Sequence, residues 1–163
     1  MTEKTNSKES HKPKFWKIIL IAVIFIIIII GVFVGLVIYS TSLKVEVWWM
    51  DKTYKSGWFL SPSVFTAKVK VAIGNPSVFS TVLEDARVKI YINNVYMGTF
   101  SFEEWEIISS QSWSVWTITA SIQGEDADLL EQAQTYTVRV ILKGKASCFF
   151  YSRLIEIWHE RVF

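Results

Sequence analysis

The feature that most constrains this chain is an uncharged apolar run from Ile18 to Tyr39, IILIAVIFIIIIIGVFVGLVIY. As a helix rising about 1.5 Å per residue, these 22 residues would span about 33 Å, enough for the hydrocarbon core of a bilayer. A buried helix of a soluble protein would be shorter or carry a polar face. The run therefore predicts a transmembrane helix at residues 18–39.

A cleaved signal peptide is the alternative interpretation of this run. Ser40-Thr41-Ser42 resembles a weak cleavage site with small residues. However, the apolar core of a signal peptide is usually about 7–15 residues long. The length of the run favours an uncleaved anchor.

Residues at the two ends of the run are of the types that lie at membrane–water interfaces. Lys14, Trp16 and Lys17 precede it, and Tyr39 ends it. Residues 1–17 carry five lysines against two glutamates, a net charge of +3. By the positive-inside rule, we expect this tail to be a disordered, basic, cytoplasmic segment and the rest of the chain to lie outside the cytoplasm.

Gly31 and Gly35 form a GxxxG pair within the run. Two small residues one turn apart allow helix backbones to approach closely, which makes them candidates for a helix–helix contact. The alternative, glycines without a contact role in an apolar helix, is favoured.

After Leu43, apolar and polar side chains alternate with the period of two that is typical of half-buried β-strands. Only Glu125–Gln134 favours a helix, with acidic residues in the first turn, where they stabilise the helix dipole. We expect a transmembrane helix followed by an all-β antiparallel sandwich of the immunoglobulin or fibronectin type with one short helix. The strands are expected at residues 43–49, 69–73, 86–92, 95–100, 112–120, 137–142 and 147–158.

Turns are expected at residues 51–57, at Asn93-Asn94 and at residues 143–145. Asparagine tolerates the positive φ that tight hairpins need. Within residues 112–120 the apolar phase changes, which predicts a β-bulge. We expect one shared core that contains Val71, Ile73, Val88, Ile90, Val138 and Val140, with Lys70, Lys89 and Arg139 on the opposite phase.

The pattern divides the chain into a tail (1–17), a transmembrane helix (18–39), a juxtamembrane strand and linker (40–62) and a sandwich domain (63–163). The part after the helix has a net charge of −1. It therefore lacks the basic surface of a nucleic-acid-binding protein.

Residues 68–100, KVKVAIGNPSVFSTVLEDARVKIYINNVYMGTF, carry a recognisable order of features. A strand ends in Asn75-Pro76, an apolar linker and a second strand follow, and Met97-Gly98 comes after the turn. This order resembles the WHy domain, the second group of late-embryogenesis-abundant proteins, and the resemblance extends over residues 64–158. It implies a β-sandwich with a role in stress tolerance or in binding an apolar ligand or lipid.

The roles expected of Asn75 and Pro76 are structural. Pro76 has no backbone N–H and pushes its predecessor into extended geometry, so the strand should end there. The Asn75 side chain can bond the following backbone and shape the turn.

No group of residues has the pattern of a catalytic, metal or cofactor site. The single cysteine, Cys148, excludes an intramolecular disulfide and lies in an apolar segment, which favours an inert thiol. His159 is isolated near the C-terminus, and the acidic residues around Asp128 lack the spacing of a calcium loop. We expect a protein that is not an enzyme.

The eight tryptophans are the unusual part of the composition. Trp48 and Trp49, and also Trp58 and Phe59, follow the helix closely enough to be candidates for the headgroup layer. The alternative, core or sheet-edge positions, is slightly favoured.

The function expected from these observations is that of a membrane-anchored, non-catalytic binding module of WHy type. Its expected partners are the bilayer and an apolar ligand or lipid. The alternative is a structural envelope or filament-stator-like protein that acts through an envelope partner or homo-oligomer. A cavity between the sheets would favour ligand binding, and a long unpaired strand edge would favour assembly.

Overall fold

The computed structural model describes residues 13–59 and 61–163, with side chains described from Phe15 onward. Most of the predicted tail, including the Lys14 side chain, lies outside the described residues. The described chain divides into two units, one that ends at Gly35 and one that begins at Leu36 and ends at Phe163. The elements are α1 (Pro13–Ser40), β1 (Lys44–Lys55), β2 (Val64–Asn75), β3 (Thr81–Ile92), β4 (Val95–Ser101), β5 (Glu106–Ile108), β6 (Ser112–Gln123), α2 (Glu125–Glu131), β7 (Thr137–Cys148) and β8 (Tyr151–Val162).

The predicted fold class is confirmed: a long apolar helix is followed by two antiparallel β-sheets and one short helix. Within α1, Phe15–Ser40 is long and apolar enough to cross a membrane. A segment of this length and composition near the N-terminus is compatible with a membrane anchor or a signal sequence.

The first sheet has the strand order β1-β2-β6. The predicted turn at residues 51–57 is wrong, because β1 pairs with β2 as far as Lys55. A bulge between Val47 and Trp49 shifts the phase of β1, so the apolar alternation appeared to stop there. Segment 40–62 therefore contributes a full strand to this sheet.

The predicted bulge in residues 112–120 is also wrong, because β6 pairs with β2 in continuous register. Trp116 and Ile118 face inward, whereas Trp113 and Val115 face outward. The apparent change of phase arises because this part of the outer face is apolar. A Cβ at Gly74 would lie 2.7 Å from the Trp113 ring, so Trp113 covers the glycine.

The second sheet has the order β4-β3-β7-β8, and β5 pairs with β3. The predicted turn at residues 143–145 is wrong, since β7 continues to Cys148 and β8 begins only at Tyr151. Gly144 serves a different purpose, because it faces a bulge in β3. A Cβ there would lie 3.1 Å from both the Glu84 carbonyl oxygen and the Ala86 Cα.

The hairpin predicted at Asn93-Asn94 is confirmed, with φ of 48° and 67°. Gly98 follows on β4 with φ of 146°, a conformation that favours glycine. The helix predicted at Glu125–Gln134 is confirmed but ends at Glu131. The three-residue strand β5 was not predicted.

One apolar core fills the space between the sheets, and it contains all six of the residues predicted to share it. The opposite-phase side chains are exposed at Lys70 and half-buried at Lys89 and Arg139. The sandwich has two ends. Its junction end is where the chain leaves Ser40, with the loops 76–80, 109–111 and 149–150, and its far end carries α2 and the loop 56–63.

Candidate functional site: the junction end of the sandwich

The buried polar side chains of the described chain gather at the junction end. Each is at most 1% exposed, and they come from the end of α1, the loop after β2 and the start of β3. Buried polar groups are costly unless they are hydrogen-bonded, so such a cluster must be internally satisfied. The members are Ser40, Thr41, Asn75, Ser77 and Thr81.

The Asn75 side chain is the hub of this cluster. Its Nδ2 donates to the carbonyl oxygens of Phe79 (2.7 Å) and Ile108 (3.1 Å). It also lies 3.3 Å from Thr81 Oγ1. Its Oδ1 accepts from the Ser77 amide (3.0 Å) and hydroxyl (2.7 Å). One amide side chain thus joins the end of β2, the next loop, the start of β3 and the end of β5.

The last turn of α1 is joined to the same cluster. Thr81 Oγ1 donates to the Ser40 carbonyl, while the Ser40 hydroxyl donates to Leu36 O at 2.8 Å. Arg153 on β8 donates to the Thr41 carbonyl (3.1 Å) and to Ser42 Oγ (2.9 Å). The carbonyls that a helix leaves unpaired at its C-terminus therefore receive side-chain donors from the sandwich.

The other predicted motif residues lie apart from this cluster. Pro76 follows β2 in the junction loop, and Gly98 lies on β4. In α1, a Cβ at Gly31 or Gly35 would meet nothing within 4 Å, so both positions are open surfaces of the helix. Sequence analysis missed Ser40, Ser77 and Thr81, because small hydroxyl residues give no signal until the fold brings them to one point.

The predicted interface residues fall into three groups. Trp16, Lys17 and Tyr39 are exposed on α1. Trp48 and Trp49 lie on the outer face of the first sheet, where the Trp48 ring lies 5.8 Å from that of Trp113. The Lys70 ammonium lies over the Trp49 ring at 5.5 Å. Trp58 and Phe59 lie at the far end of the sandwich, roughly 40 Å along β1 from the junction.

The reactive side chains do not converge. Cys148 is buried at the junction end of β7, beside Tyr151 in the β7–β8 register. His159 lies on β8, eight residues beyond Tyr151. At the rise of a β-strand this is about 26 Å from the Cys148 end of the hairpin. Among residues 13–59 and 61–163, no three His, Cys, Asp or Glu side chains are grouped to hold a metal ion.

Two polar contacts away from the junction have perturbed pKa values. The hydrogen bond from Lys145 lowers the pKa of Glu84, and Glu84 in turn raises the pKa of Lys145; the two charged atoms are 2.9 Å apart. At the far end, hydrogen bonds from Ser63 and Tyr54 lower the pKa of the Asp128 carboxyl. Both pairs are accessible to solvent and join neighbouring elements, which is a structural role.

A small cleft of about 260 Å³ opens between the two sheets, where β4 approaches β6. Its apolar floor is formed by Ile90, Met97 and Ile118. Pockets that enclose drug-sized ligands are usually about 300–1,000 Å³. This cleft can accept a narrow apolar group but does not enclose a bulky one.

Strand β6 itself presents a long edge. In the part of the chain that is described, it pairs with β2 on one side only. Its twelve residues, SWSVWTITASIQ, contain no charged residue and no proline. Soluble proteins usually protect edge strands with charges, prolines or bulges, so an edge of this kind is able to pair with another strand.

The fold defines the chain as an antiparallel β-sandwich with one short helix, preceded by one long apolar helix. No protein-family model and no curated protein matches its sequence. Its structure is distantly similar to a crystal structure of a protein from Archaeoglobus fulgidus, with 12% identity and a TM-score of 0.38 over 72% of this chain and 96% of that one. It is also distantly similar to the structural-genomics target SoR45, with 13% identity and a TM-score of 0.36 over 72% and 84%. At these values the comparisons assign neither a family nor a function.

Proposed function

We propose that this chain is a membrane-anchored, non-catalytic binding module, with its N-terminus in the cytoplasm and its sandwich held outside at the membrane surface. The observation that carries the proposal is the burial of Ser40 and Thr41, both 0% exposed. Signal-peptide cleavage after Ser42 would remove both residues from the folded domain. Here the carbonyls of Ser40 and Thr41 accept hydrogen bonds from the sandwich, which supports an anchor that is retained.

Two observations support a binding role rather than catalysis. Cys148 and His159 are far apart on β7 and β8, so they cannot act on one substrate atom. The resemblance of residues 64–158 to WHy domains supports an apolar ligand or lipid as the partner. Because the cleft between the sheets is too small to enclose a bulky ligand, we expect that contact at the surface of the sandwich.

The experiment is complementation of a deletion strain. The double variant Cys148→Ser with His159→Gln should restore the phenotype, because neither side chain has a catalytic role. A released form that starts at Leu36, the first residue of the second compact unit, should fail at equal abundance. An anchor raises the effective concentration of the domain near its target, and the released form loses this gain.

Rescue by the released form together with failure of the double variant would overturn the proposal. The released form keeps Ser40 and Thr41, so its junction is intact. Its thermal unfolding should be compared with that of the full chain. If the released form unfolds at the same temperature as the full chain but does not restore the phenotype, the cause is loss of the anchor and not loss of the fold.

The uncharged edge of β6 supports a second candidate, a structural protein that assembles through strand pairing. The outward side chains Thr117 and Thr119 are exposed on this strand. Lysine at both positions should block pairing, because charges on an edge disfavour the approach of another strand.

The measurement for this candidate is the mass of particles extracted with their native lipid. The assembly candidate predicts that the double lysine variant reduces a multimer, or a complex with a second polypeptide, to single chains. The matched control is Thr66→Lys on the central strand β2, which should leave the mass unchanged. Equal particle masses for all forms, each corresponding to one chain, would eliminate this candidate.

A further inference from the structure

The two ends of the sandwich differ sharply in charge. The four segments at the junction end, residues 40–43, 76–80, 109–111 and 149–150, read STSL, PSVFS, SSQ and FF and contain no charged residue. At the far end, residues 124–136 carry four acidic residues. One end is thus suited to a low-dielectric environment and the other to water.

The most apolar of these segments is the hairpin between β7 and β8. Cys148 pairs with Tyr151, so the loop consists of Phe149 and Phe150 alone. Their side chains are 70% and 71% exposed. The Phe149 ring packs edge-on against Phe79 of the neighbouring junction loop, with 5.2 Å between ring centroids, and Val78 is exposed beside it in sequence.

The backbone of this hairpin gives a second, independent observation. Phe149 has φ of 52°, in the left-handed region that is costly for a bulky side chain. The two-residue hairpin at the far end, Asn93-Asn94, places asparagine at both of its positive-φ positions. Asparagine or glycine would form the β7–β8 turn with less strain, so the exposed aromatic pair has a use other than making the turn.

Chain continuity indicates what that use is. The hairpin lies at the end of the sandwich that is hydrogen-bonded to the last turn of α1, through Thr81 to Ser40 and through Arg153 to Thr41. Residue 40 ends the apolar segment proposed to cross the bilayer. On the apolar face of a membrane-surface segment, phenylalanine lies at the boundary between the headgroups and the acyl chains.

We infer that the tips Phe149-Phe150 and Val78 insert into the headgroup and upper acyl region of the bilayer and form a second membrane contact in addition to the helix. This contact would fix the orientation of the sandwich on the membrane. Arg153, on the strand that follows the hairpin, places a cation where anionic headgroups would lie. The inference rests on the proposed membrane anchor.

The test uses the full chain in liposomes of phosphatidylcholine and phosphatidylglycerol, in a Cys148→Ser background with one nitroxide label per protein. Labels are placed at Phe150→Cys, at Phe59→Cys as the far-end control, and at Ile24→Cys within α1. Accessibility is measured to oxygen, which partitions into the bilayer, and to a water-soluble nickel chelate. At positions 24 and 150 the label should be more accessible to oxygen than to the chelate. Accessibility to the chelate should be several-fold higher at position 59 than at position 150.

Each other outcome has a definite meaning. If the chelate reaches position 150 as well as position 59 while position 24 lies inside the bilayer, this inference is overturned and the proposed anchor is not. A position 24 open to the chelate overturns the proposed anchor itself. Shielding of position 150 from both reagents overturns the inference, because the position is then covered by protein and not by lipid.

A variant pair adds a causal test. With the label at Val78→Cys, the change Phe149→Ser with Phe150→Ser should raise chelate accessibility toward the value at the far end. The matched pair Trp58→Ser with Phe59→Ser removes two exposed aromatic side chains from the far end. It should leave the chelate accessibility of position 78 unchanged. Equal effects of the two pairs would contradict the contact.

Discussion

Replacing Asn75 with alanine tests whether the polar cluster at the junction holds this end of the fold together. The change removes all five contacts of the side chain. Phe79 O keeps the Ser77 hydroxyl as a donor, and Thr81 still donates to Ser40. The Ser77 amide and the Ile108 carbonyl lose this partner. At about 1–3 kcal/mol for each of these two buried groups, we expect the free energy of unfolding to fall by about 2–6 kcal/mol.

The assay is equilibrium urea unfolding of the full chain in mild detergent, followed by tryptophan fluorescence. The control is Thr66→Ala, which removes an exposed hydrogen bond of 2.9 Å to Ser121 and should cost less than about 0.5 kcal/mol. A loss at Asn75 no larger than this control would refute the role given to the cluster.

A second variant separates lost hydrogen bonds from lost volume. Asn75→Asp keeps the shape but points a carboxylate oxygen at the carbonyls of Phe79 and Ile108. At neutral pH it should destabilise the fold at least as much as alanine does. The repulsion raises the pKa of the new carboxyl, so stability should return as the pH falls and the acid becomes a donor. A loss that does not depend on pH would contradict this explanation.

Three further predictions concern the sandwich. The Glu84–Lys145 pair should stabilise the fold at pH values between 4.5 and 10.5, the ordinary pKa values of the two groups. This stabilisation should be lost when the pH falls through the lowered pKa of Glu84. It should also be lost when the pH rises through the raised pKa of Lys145. Glu84→Gln should therefore flatten the acidic limb of a stability–pH curve, and an unchanged limb would show that the pair contributes nothing. Gly144→Ala should cost about 1–3 kcal/mol in urea unfolding, because the added Cβ meets the backbone of the β3 bulge; a neutral effect would mean that the bulge moves freely. Ile90→Ala should cost about 2–4 kcal/mol, against less than about 1 kcal/mol for Lys89→Ala on the opposite phase, and equal costs would contradict the strand phase.

The fold class was predictable because its signals are local. The change from a continuous apolar run to alternation after Leu43 predicts a helix followed by strands, and Asn93-Asn94 predicts a hairpin by its tolerance of positive φ. Both signals depend only on neighbours in sequence. The six predicted core residues follow from the same alternation and do lie together.

The wrong turns have a common physical cause, which is a long-range contact that changes the meaning of a local signal. The bulge at Trp48 hides the second half of β1, so charged residues there resembled a turn. Gly144 resembled a turn residue, although it is needed for the close approach of the β3 bulge. The true turn at Phe149-Phe150 has no turn residues at all.

The junction was predictable only in part. The Asn75-Pro76 motif marked the end of a strand, and Asn75 proves to be the hub of the buried hydrogen bonds there. Its partners Ser40 and Thr81 are distant in sequence, and a lone serine or threonine has no periodicity to detect. Only the three-dimensional structure shows that they meet.

The measurement that tests the central claim most directly is the state of the chain in its own membrane. Membranes are washed with alkaline carbonate, and the mass of the retained protein is determined intact. We expect protein in the membrane pellet whose intact mass still includes the apolar helix Phe15–Ser40, since Ser40 and Thr41 are buried in the fold. A carbonate-soluble domain beginning near Thr41 or Leu43 would contradict it, because the apolar helix would then be a removed signal sequence and not an anchor.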